Sequence, residues 1–404
     1  MLEMQKIKIS DYNYSLTEDW IAKFPLQQRD ASNLLVYQNN EIKDFLFKDL
    51  DQILPSNSRL IFNNTKVIRA RLHFKKSTGA DIEIFCLEPH NPSEYVLAFE
   101  SKSYCEWTCL IGNAKKWKEG HLESLLSIQD KTIKLRVNKI PSDGLHPIVA
   151  FSWDSEDLSF SEIIEHIGEL PIPPYLQRKT EASDLVRYQT VYSKIQGSVA
   201  APTAGLHFTE DVFRRLREKS IELSEITLHV GAGTFKPVQS EIIGDHAMHT
   251  EHFIVEKSTL KDLLDHCFTV PVGTTSVRTL ESLYWLAVKI KNGTTHGNYH
   301  VQQWDPYELD ADINAYEAIE ILLNELEKTQ KLFLEASTEI MIVPSYSFKF
   351  ADAIITNFHQ PKSTLLLLVS AFVGDAWKSI YSHALNQNYR FLSYGDSSLL
   401  FPSI

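Results

Sequence analysis

The chain is poor in cysteine. Cys86, Cys105, Cys109 and Cys267 are four of 404 residues, with no C-x-x-C pair and no zinc-ligand spacing. That excludes a disulfide-framed secreted scaffold, and buried free thiols in a reducing cytoplasm are the expectation. Long apolar runs are missing as well. The longest, residues 365–373, contains Ser370 and falls short of the roughly 20 residues that cross a bilayer. Residues 1–14 hold no apolar stretch of signal-peptide type, so no membrane partner is expected. Excess positive charge is absent: 40 Lys+Arg face 52 Asp+Glu, a formal charge of -12. This excludes a generic, charge-driven binder of nucleic acid or membrane, though not a local basic patch. P-loop, nucleophile elbow, kinase set, internal repeat and low-complexity tract are all lacking.

What remains is a composition that folds. With 43% hydrophobic and 11% aromatic residues, the chain has enough apolar surface for two or three domains. From residue 68 to about 150 the texture is β: Ile82, Ile84 and Cys86 alternate with polar neighbours, as do Tyr95, Leu97 and Phe99, and residues 132–137 repeat the period. Turn-forming stretches punctuate it, which predicts a small all-β unit inserted into something larger. After residue 154 strands and helices alternate. Helices are predicted at 161–167, at 209–219 with Thr209 as cap, along 314–334, and at 364–372. Strands are predicted at 221–229, 267–272, 340–343 and 353–356. This implies an α/β main domain.

Five constellations carry potential chemistry. Gly197-Ser-Val-Ala-Ala-Pro-Thr-Ala-Gly-Leu-His-Phe-Thr209 combines small residues, which let a ligand approach the backbone, with the polar heads of Thr203 and His207. The same loop would also serve as a tight structural crossover. Leu228-His-Val-Gly-Ala-Gly-Thr-Phe235 places Gly231, Gly233 and Thr234 after a strand, as a ligand-facing turn or a plain bulge. Lys236 stands where a dinucleotide fingerprint needs its third glycine. His246, His249 and His252 recur every three residues. A helix would gather them near one face for a metal and a strand would disperse them, so His246 and His249 read rather as polar site residues than as ligands. Thr274, Thr275, Ser276 and Arg278 open a helix after a strand, a place for a carboxylate, a phosphate or ribose hydroxyls, or for simple capping. Asn357, His359 and Lys362 lie between a strand and a helix, where open α/β sheets collect ligands. A basic set, Lys66, Arg69, Arg71, Lys75, Lys76, Lys115, Lys116 and Lys118, sits in the β-rich unit as a solvated face or a phosphate-backbone footprint.

Taken together, these stretches resemble the S-adenosylmethionine:tRNA ribosyltransferase-isomerase family of queuosine biosynthesis. The match also takes in Gln28-Arg-Asp-Ala-Ser-Asn-Leu-Leu35, Phe62-Asn-Asn-Thr-Lys-Val-Ile-Arg-Ala-Arg-Leu72, Leu170-Pro-Ile-Pro-Pro-Tyr175, Arg187-Tyr-Gln-Thr-Val-Tyr192 and Tyr394-Gly-Asp396. The resemblance implies a larger α/β domain around a closed sheet (residues 1–64 and 155–404) and an inserted small β-barrel (65–154). It implies S-adenosylmethionine as consumed co-substrate, with no resident cofactor or metal. The acceptor would be a tRNA bearing 7-aminomethyl-7-deazaguanine at the wobble position, and the enzyme a cytoplasmic monomer. Catalysis would fall to His207, His246, His249, His359 and Arg278. Thr203, Gly231, Gly233, Thr234, Thr274, Thr275, Ser276, Asn357, Lys362, Tyr394 and Asp396 would line the substrate cavity, and the basic set would meet RNA. The chain departs from the family pattern at Asn64, Arg69, Ile195-Gln196 and Ala336-Ser-Thr-Glu339. Residues 285–338 form an atypical, partly helical acidic segment. Extended by one residue to 339, it holds ten acidic against four basic side chains, so it alone accounts for half of the net charge of -12.

Overall fold

The structure, a computed structural model, describes residues 2–403 except 77, 129–130, 143, 145, 232–237, 266 and 296. Strand Ser58–Asn63 is buried along its whole length, as a strand covered on both faces must be. It pairs in parallel with Glu222–His229 on one side and Phe268–Pro271 on the other. Beyond Ile226 the longer strand Glu222–His229 turns to antiparallel pairing with Glu251–Glu256. Phe333–Thr338 and the short His300–Val301 complete that sheet. A second sheet has the order Ile354–Asn357, Ser397–Leu400, Asn33–Gln38, Glu41–Leu46. The bridge from Val272 to Ile355, with Gly273 N–H donating to the Ile355 carbonyl at 2.8 Å, joins the two sheets edge to edge into a curled half-barrel.

Helix Thr274–Lys291 is buried from Ser276 to Val288 and packs between this sheet and helix Ala315–Thr329. Its one buried carboxylate, Glu281, accepts from the Tyr346 hydroxyl at 2.7 Å and from the backbone N–H of Lys349 and Phe350, which satisfies an otherwise costly group. The remaining strands form a nearly closed antiparallel barrel in the order Arg71–Lys75, Asp81–Asn91, Tyr104–Gly112, Ile148–Trp153, Lys131–Ile140, Leu122–Ile128. Its alternating inward positions include Cys86, Cys105, Trp107 and Cys109, so three of the thiols are core wall. That core extends from Ile68 to Ile164 and takes in Val199. Among the described residues no single helix is long and apolar enough to cross a membrane.

The expected helices at 161–167, 209–219 and 364–372 are observed as Phe160–Ile167, Glu210–Glu218 and Thr364–Val373. Thr209 caps the second, its hydroxyl accepting from Val212 N–H at 3.3 Å. Three expectations fail. Tyr95–Glu100 is a helix, not a strand: Tyr95, Ala98 and Phe99 share its buried face while Val96 and Leu97 are exposed, and a pattern of large residues alone overlooks Ala98. The helix predicted to residue 334 stops at Thr329, because Gln330 takes a left-handed conformation (φ 54°) and the chain leaves as strand Phe333–Thr338. Residues 340–343 are buried but form no strand, with backbone N–H groups donating instead to the Gln303 carbonyl and to the Thr338 and Tyr307 hydroxyls. The acidic segment supplies two strands of the main sheet and the helix that covers Thr274–Lys291.

The chain passes into the barrel and back at one buried polar junction. Asn63 Oδ1 accepts from Leu228 N–H at 3.1 Å and Thr65 N–H at 3.2 Å, while its Nδ2 donates to the Leu228 carbonyl at 3.0 Å. The amide thus replaces the backbone partner that Leu228 loses where Ser58–Asn63 ends. Ser198, on the returning strand Ile195–Ser198, donates to Thr65 Oγ1 at 2.8 Å and accepts from Val230 N–H at 3.1 Å. Replacing Asn63 by Ala strands two buried N–H groups, of Leu228 and Thr65, at about 1–3 kcal/mol each before relaxation, while the Leu228 carbonyl keeps the Ser198 hydroxyl at 3.4 Å. The Asn63→Ala variant should therefore lose at least ~2 kcal/mol in urea unfolding; an unchanged midpoint would show that the junction is not needed.

Candidate active site at the strand ends

The residues leaving the parallel strands converge. Gly273, at φ 88°, turns the chain from strand Phe268–Pro271 into helix Thr274–Lys291, whose first turn no side chain caps. Next to it strand Ile354–Asn357 ends, and the segment 200–204 comes up opposite. Between them lies a cleft of about 790 Å³, counting its open mouth. Thr203, Thr274, Thr275, Asn357 and His359 line it with polar atoms, and Ala200, Pro202, Val230, Phe358 and Leu392 are among its apolar walls. Of the small residues of the 197–209 block, Ala200, Ala201 and Ala204 line this space, while Gly197 and Gly205 make room for His229 and Tyr192.

The hydrogen bonds determine the state of the imidazoles. Asn357 Nδ2 donates to the Leu392 carbonyl at 3.0 Å, which sets the orientation of the amide, and also faces His207 Nε2 at 3.4 Å. His207 Nε2 is therefore an acceptor, and its proton sits on Nδ1, 2.7 Å from Ser32 Oγ. Burial pushes the His207 pKa down to about 3, assisted by the positive charges of Arg390 and Arg29. Burial alone brings His359 to about 3, and its Nε2 lies 2.9 Å from Thr356 Oγ1. Both rings are neutral near pH 7. Asn357 Oδ1 is buried and has no partner. An orphaned acceptor in a cleft wall is suited to an N–H or O–H of a ligand.

Other expected site residues lie elsewhere. Arg278 is one turn into its helix, where its guanidinium pairs with buried Glu251 and its Nε donates to the Ile340 carbonyl at 3.3 Å. Glu251 also holds His249 Nε2 at 3.0 Å. His246 and His249 occupy the irregular segment before strand Glu251–Glu256, away from the cleft lining, and His252 is exposed on that strand. Among the described residues no three His, Cys, Asp or Glu side chains are grouped so as to hold a metal. Ser276 Oγ bonds back to the Val272 carbonyl at 2.8 Å. Lys362 is exposed at φ 56°. Tyr394 donates to Asp184 at 2.8 Å, and Asp396 anchors Asn33 together with the Arg390 backbone N–H. Gly231 borders the cleft wall at Val230, while Gly233 and Thr234 fall outside the described residues.

The basic set divides in two. Lys66 and Arg69 line a groove of about 480 Å³ with Leu185 and Gln189. Lys75, Lys76, Lys115, Lys116 and Lys118 cluster at the far end of strand Arg71–Lys75, where Lys76 Nζ reaches the Lys116 carbonyl at 3.1 Å. At ~3.3 Å per residue the two groups are roughly 20 Å apart. Arg71 lies against Glu83 at 3.4 Å and over the Phe85 ring. The sequence assigns no role to two wall residues: Tyr175, which ends the Leu170–Tyr175 block, and Ser393, which lies just before Tyr394. Tyr175 and Ser393 meet through their hydroxyls at 2.5 Å across the chain, and no local spacing announces such a pair.

Comparison with known proteins identifies the family. The family model described as "Queuosine biosynthesis protein" matches residues 9–400. The S-adenosylmethionine:tRNA ribosyltransferase-isomerase of Treponema denticola is 36% identical over 399 residues, covering 96% of this chain and 99% of that protein. The same-named protein of Thermosipho melanesiensis is 36% identical over 408 residues, covering 98% and 100%. A solved S-adenosylmethionine tRNA ribosyltransferase from Thermotoga maritima aligns over 97% of this chain and all of its own at 26% identity, with a TM-score of 0.46. The chain belongs to the queuosine biosynthesis family of S-adenosylmethionine:tRNA ribosyltransferase-isomerases.

Proposed function

We propose that the protein transfers and isomerises the ribosyl part of S-adenosylmethionine onto 7-aminomethyl-7-deazaguanine at the tRNA wobble position, forming epoxyqueuosine and releasing adenine and methionine. The observation that carries this reading is the end-to-end match to relatives of that name; it is supported by the meeting of residues 200–204, 273–275 and 356–360 at one cleft. The donor belongs in that cleft. Its apolar walls suit adenine, the hydroxyls of Thr203, Thr274 and Thr275 suit ribose, and the uncapped helix start suits the methionine carboxylate. Neutral His207 and His359 present no positive charge to a sulfonium cation, whereas an imidazolium about 4 Å away would repel it. His359 enters the reaction as an uncharged proton acceptor in the cleft wall, and His207 holds Asn357 so that its Oδ1 is free for the substrate. Arg278, bound to Glu251, acts through the helix that carries Thr274 and Thr275.

Incubation with donor and tRNA bearing the aminomethyl base should release adenine, and unmodified tRNA should not support release. Adenine release independent of the modified base would mean a different acceptor, and no release at all would mean a non-catalytic protein. Thr275→Val, which removes a hydroxyl at constant volume, should raise the donor KM about tenfold while leaving Tm within a degree or two. An unmoved KM would take Thr275 out of the donor site.

The neutral histidines also give a pH signature. Their native pKa of about 3 lies below the unfolded value of ~6.5, so the unfolded chain binds protons that the native state refuses. Stability is complete above about pH 6.5 and falls as the pH drops toward 3, at up to ~1.4 kcal/mol per pH unit for each histidine. The His359→Gln variant should show a shallower loss of urea midpoint between pH 7 and 5 than the parent. Parallel slopes would mean that His359 is protonated in the folded protein.

A further inference from the structure

We infer that Arg29, Arg187 and Arg390 form an oxyanion subsite beside the cleft that receives a backbone phosphodiester of the RNA acceptor. The inference rests on the reading above. The three residues come from distant parts of the chain and line a shallow recess of about 290 Å³, counting its open mouth, together with His207 and Tyr394. This cavity adjoins the cleft, since Ser393 lines both and His207 stands in its wall with Nε2 toward Asn357.

None of these charges is held in an ion pair. Among the described residues no carboxylate lies within ion-pair distance of these three guanidiniums, although Arg59, Arg178, Arg215 and Arg278 all have acidic partners. The neighbouring acids are occupied: Asp184 takes Arg178 and the Tyr394 hydroxyl, and Asp396 takes Asn33 and a backbone N–H. Backbone carbonyls position the guanidiniums instead. Arg29 donates to Gln189 at 2.6 Å and Val186 at 2.8 Å, Arg187 to Gln27 at 3.1 Å and Leu26, and Arg390 to Phe24 at 3.2 Å and Tyr394 at 2.7 Å. Arg187 Nε is buried with no partner. Burial, and for Arg29 next the charge of Arg187, lowers the pKa of Arg29, and burial does the same for Arg390. Asp396 offsets part of the charge of Arg390 without forming an ion pair, and among the described residues no carboxylate pairs with Arg29 or Arg187. Holding three half-buried like charges together is costly, and an incoming anion relieves that cost.

A phosphodiester fits better than the donor carboxylate. The carboxylate already has the uncapped helix start inside the cleft, and a single guanidinium fork satisfies two oxygens. One residue also ties the arginines to the groove of Lys66 and Arg69. Gln189 spans the two: its carbonyl holds Arg29, and its side chain exchanges hydrogen bonds with Val67 at 3.0 and 2.8 Å. An RNA strand following that positive path arrives at the cleft with a phosphate in the arginine cavity.

The test begins with the native enzyme. Sodium sulfate, compared with sodium chloride at equal ionic strength, should inhibit competitively against tRNA and leave the donor KM unchanged. Arg29→Gln, Arg187→Gln and Arg390→Gln, each checked for folding by thermal melting, should weaken binding of the modified anticodon stem-loop about tenfold. Each should also flatten the log–log salt dependence by about 0.7 for every phosphate charge no longer neutralised, with the donor KM moving less than twofold. A raised donor KM with an unaltered salt slope would overturn the inference in favour of the methionine carboxylate. Sulfate acting no differently from chloride, with stem-loop affinity intact in folded variants, would reduce the arginines to chain ties. If the variants do not fold, the sulfate comparison decides alone. Failure of the parent enzyme to release adenine with modified tRNA is a separate result, and it removes the functional reading itself.

Discussion

The structure turns on how Leu228 is satisfied. Strand Glu222–His229 runs past the end of its parallel neighbour Ser58–Asn63, which would leave buried peptide groups unpaired at the point where the sheet curls. The Asn63 amide supplies both missing partners and holds Thr65 N–H at the same time. Because the chain enters the barrel just after Asn63 and returns through Ile195–Ser198, this one side chain sets where the barrel is attached. The cleft follows from it, since residues 200–204 leave that junction directly into the cleft wall.

Burial then sorts the ionisable groups into kinds. Arg278 and Glu251 are both removed from water and compensate each other, so they contribute a rigid element. His207 and His359 are removed from water without a carboxylate in hydrogen-bonding reach, and lose their charge. The three arginines around the adjoining cavity are only half buried and have no ion-pair partner among the described residues, so their charge remains available to a ligand. Site chemistry thus comes less from residue type than from what burial leaves unmatched.

Some of this was readable along the chain. Thr203, Thr274, Thr275, Asn357 and His359 stood in blocks of small and hydroxyl residues at strand-to-helix turns, a local signal, and they share one cleft. His246 and His249 carried an equally regular spacing, yet spacing means something only once the backbone is known, and there it is neither helical nor at the cleft. Arg278 looked like an anion grip because its helix register is right; what the register does not show is Glu251 across the sheet. Arg29, Arg187 and Arg390 gave no joint signal, being assembled from three distant segments.

The family, the mixed α/β class with an inserted β unit and most helix boundaries are written in the chain, because caps, periodicity and motif blocks act over a few residues. So are the turns that carry polar heads. It took the assembled fold to bring residues 333–338 into the main sheet, to leave the histidines uncharged, and to pair some arginines while others face an open cavity. Those outcomes depend on solvent exclusion and on the charge of neighbours hundreds of residues away. A pKa or an ion pair belongs to that assembled environment, and no stretch of chain contains it.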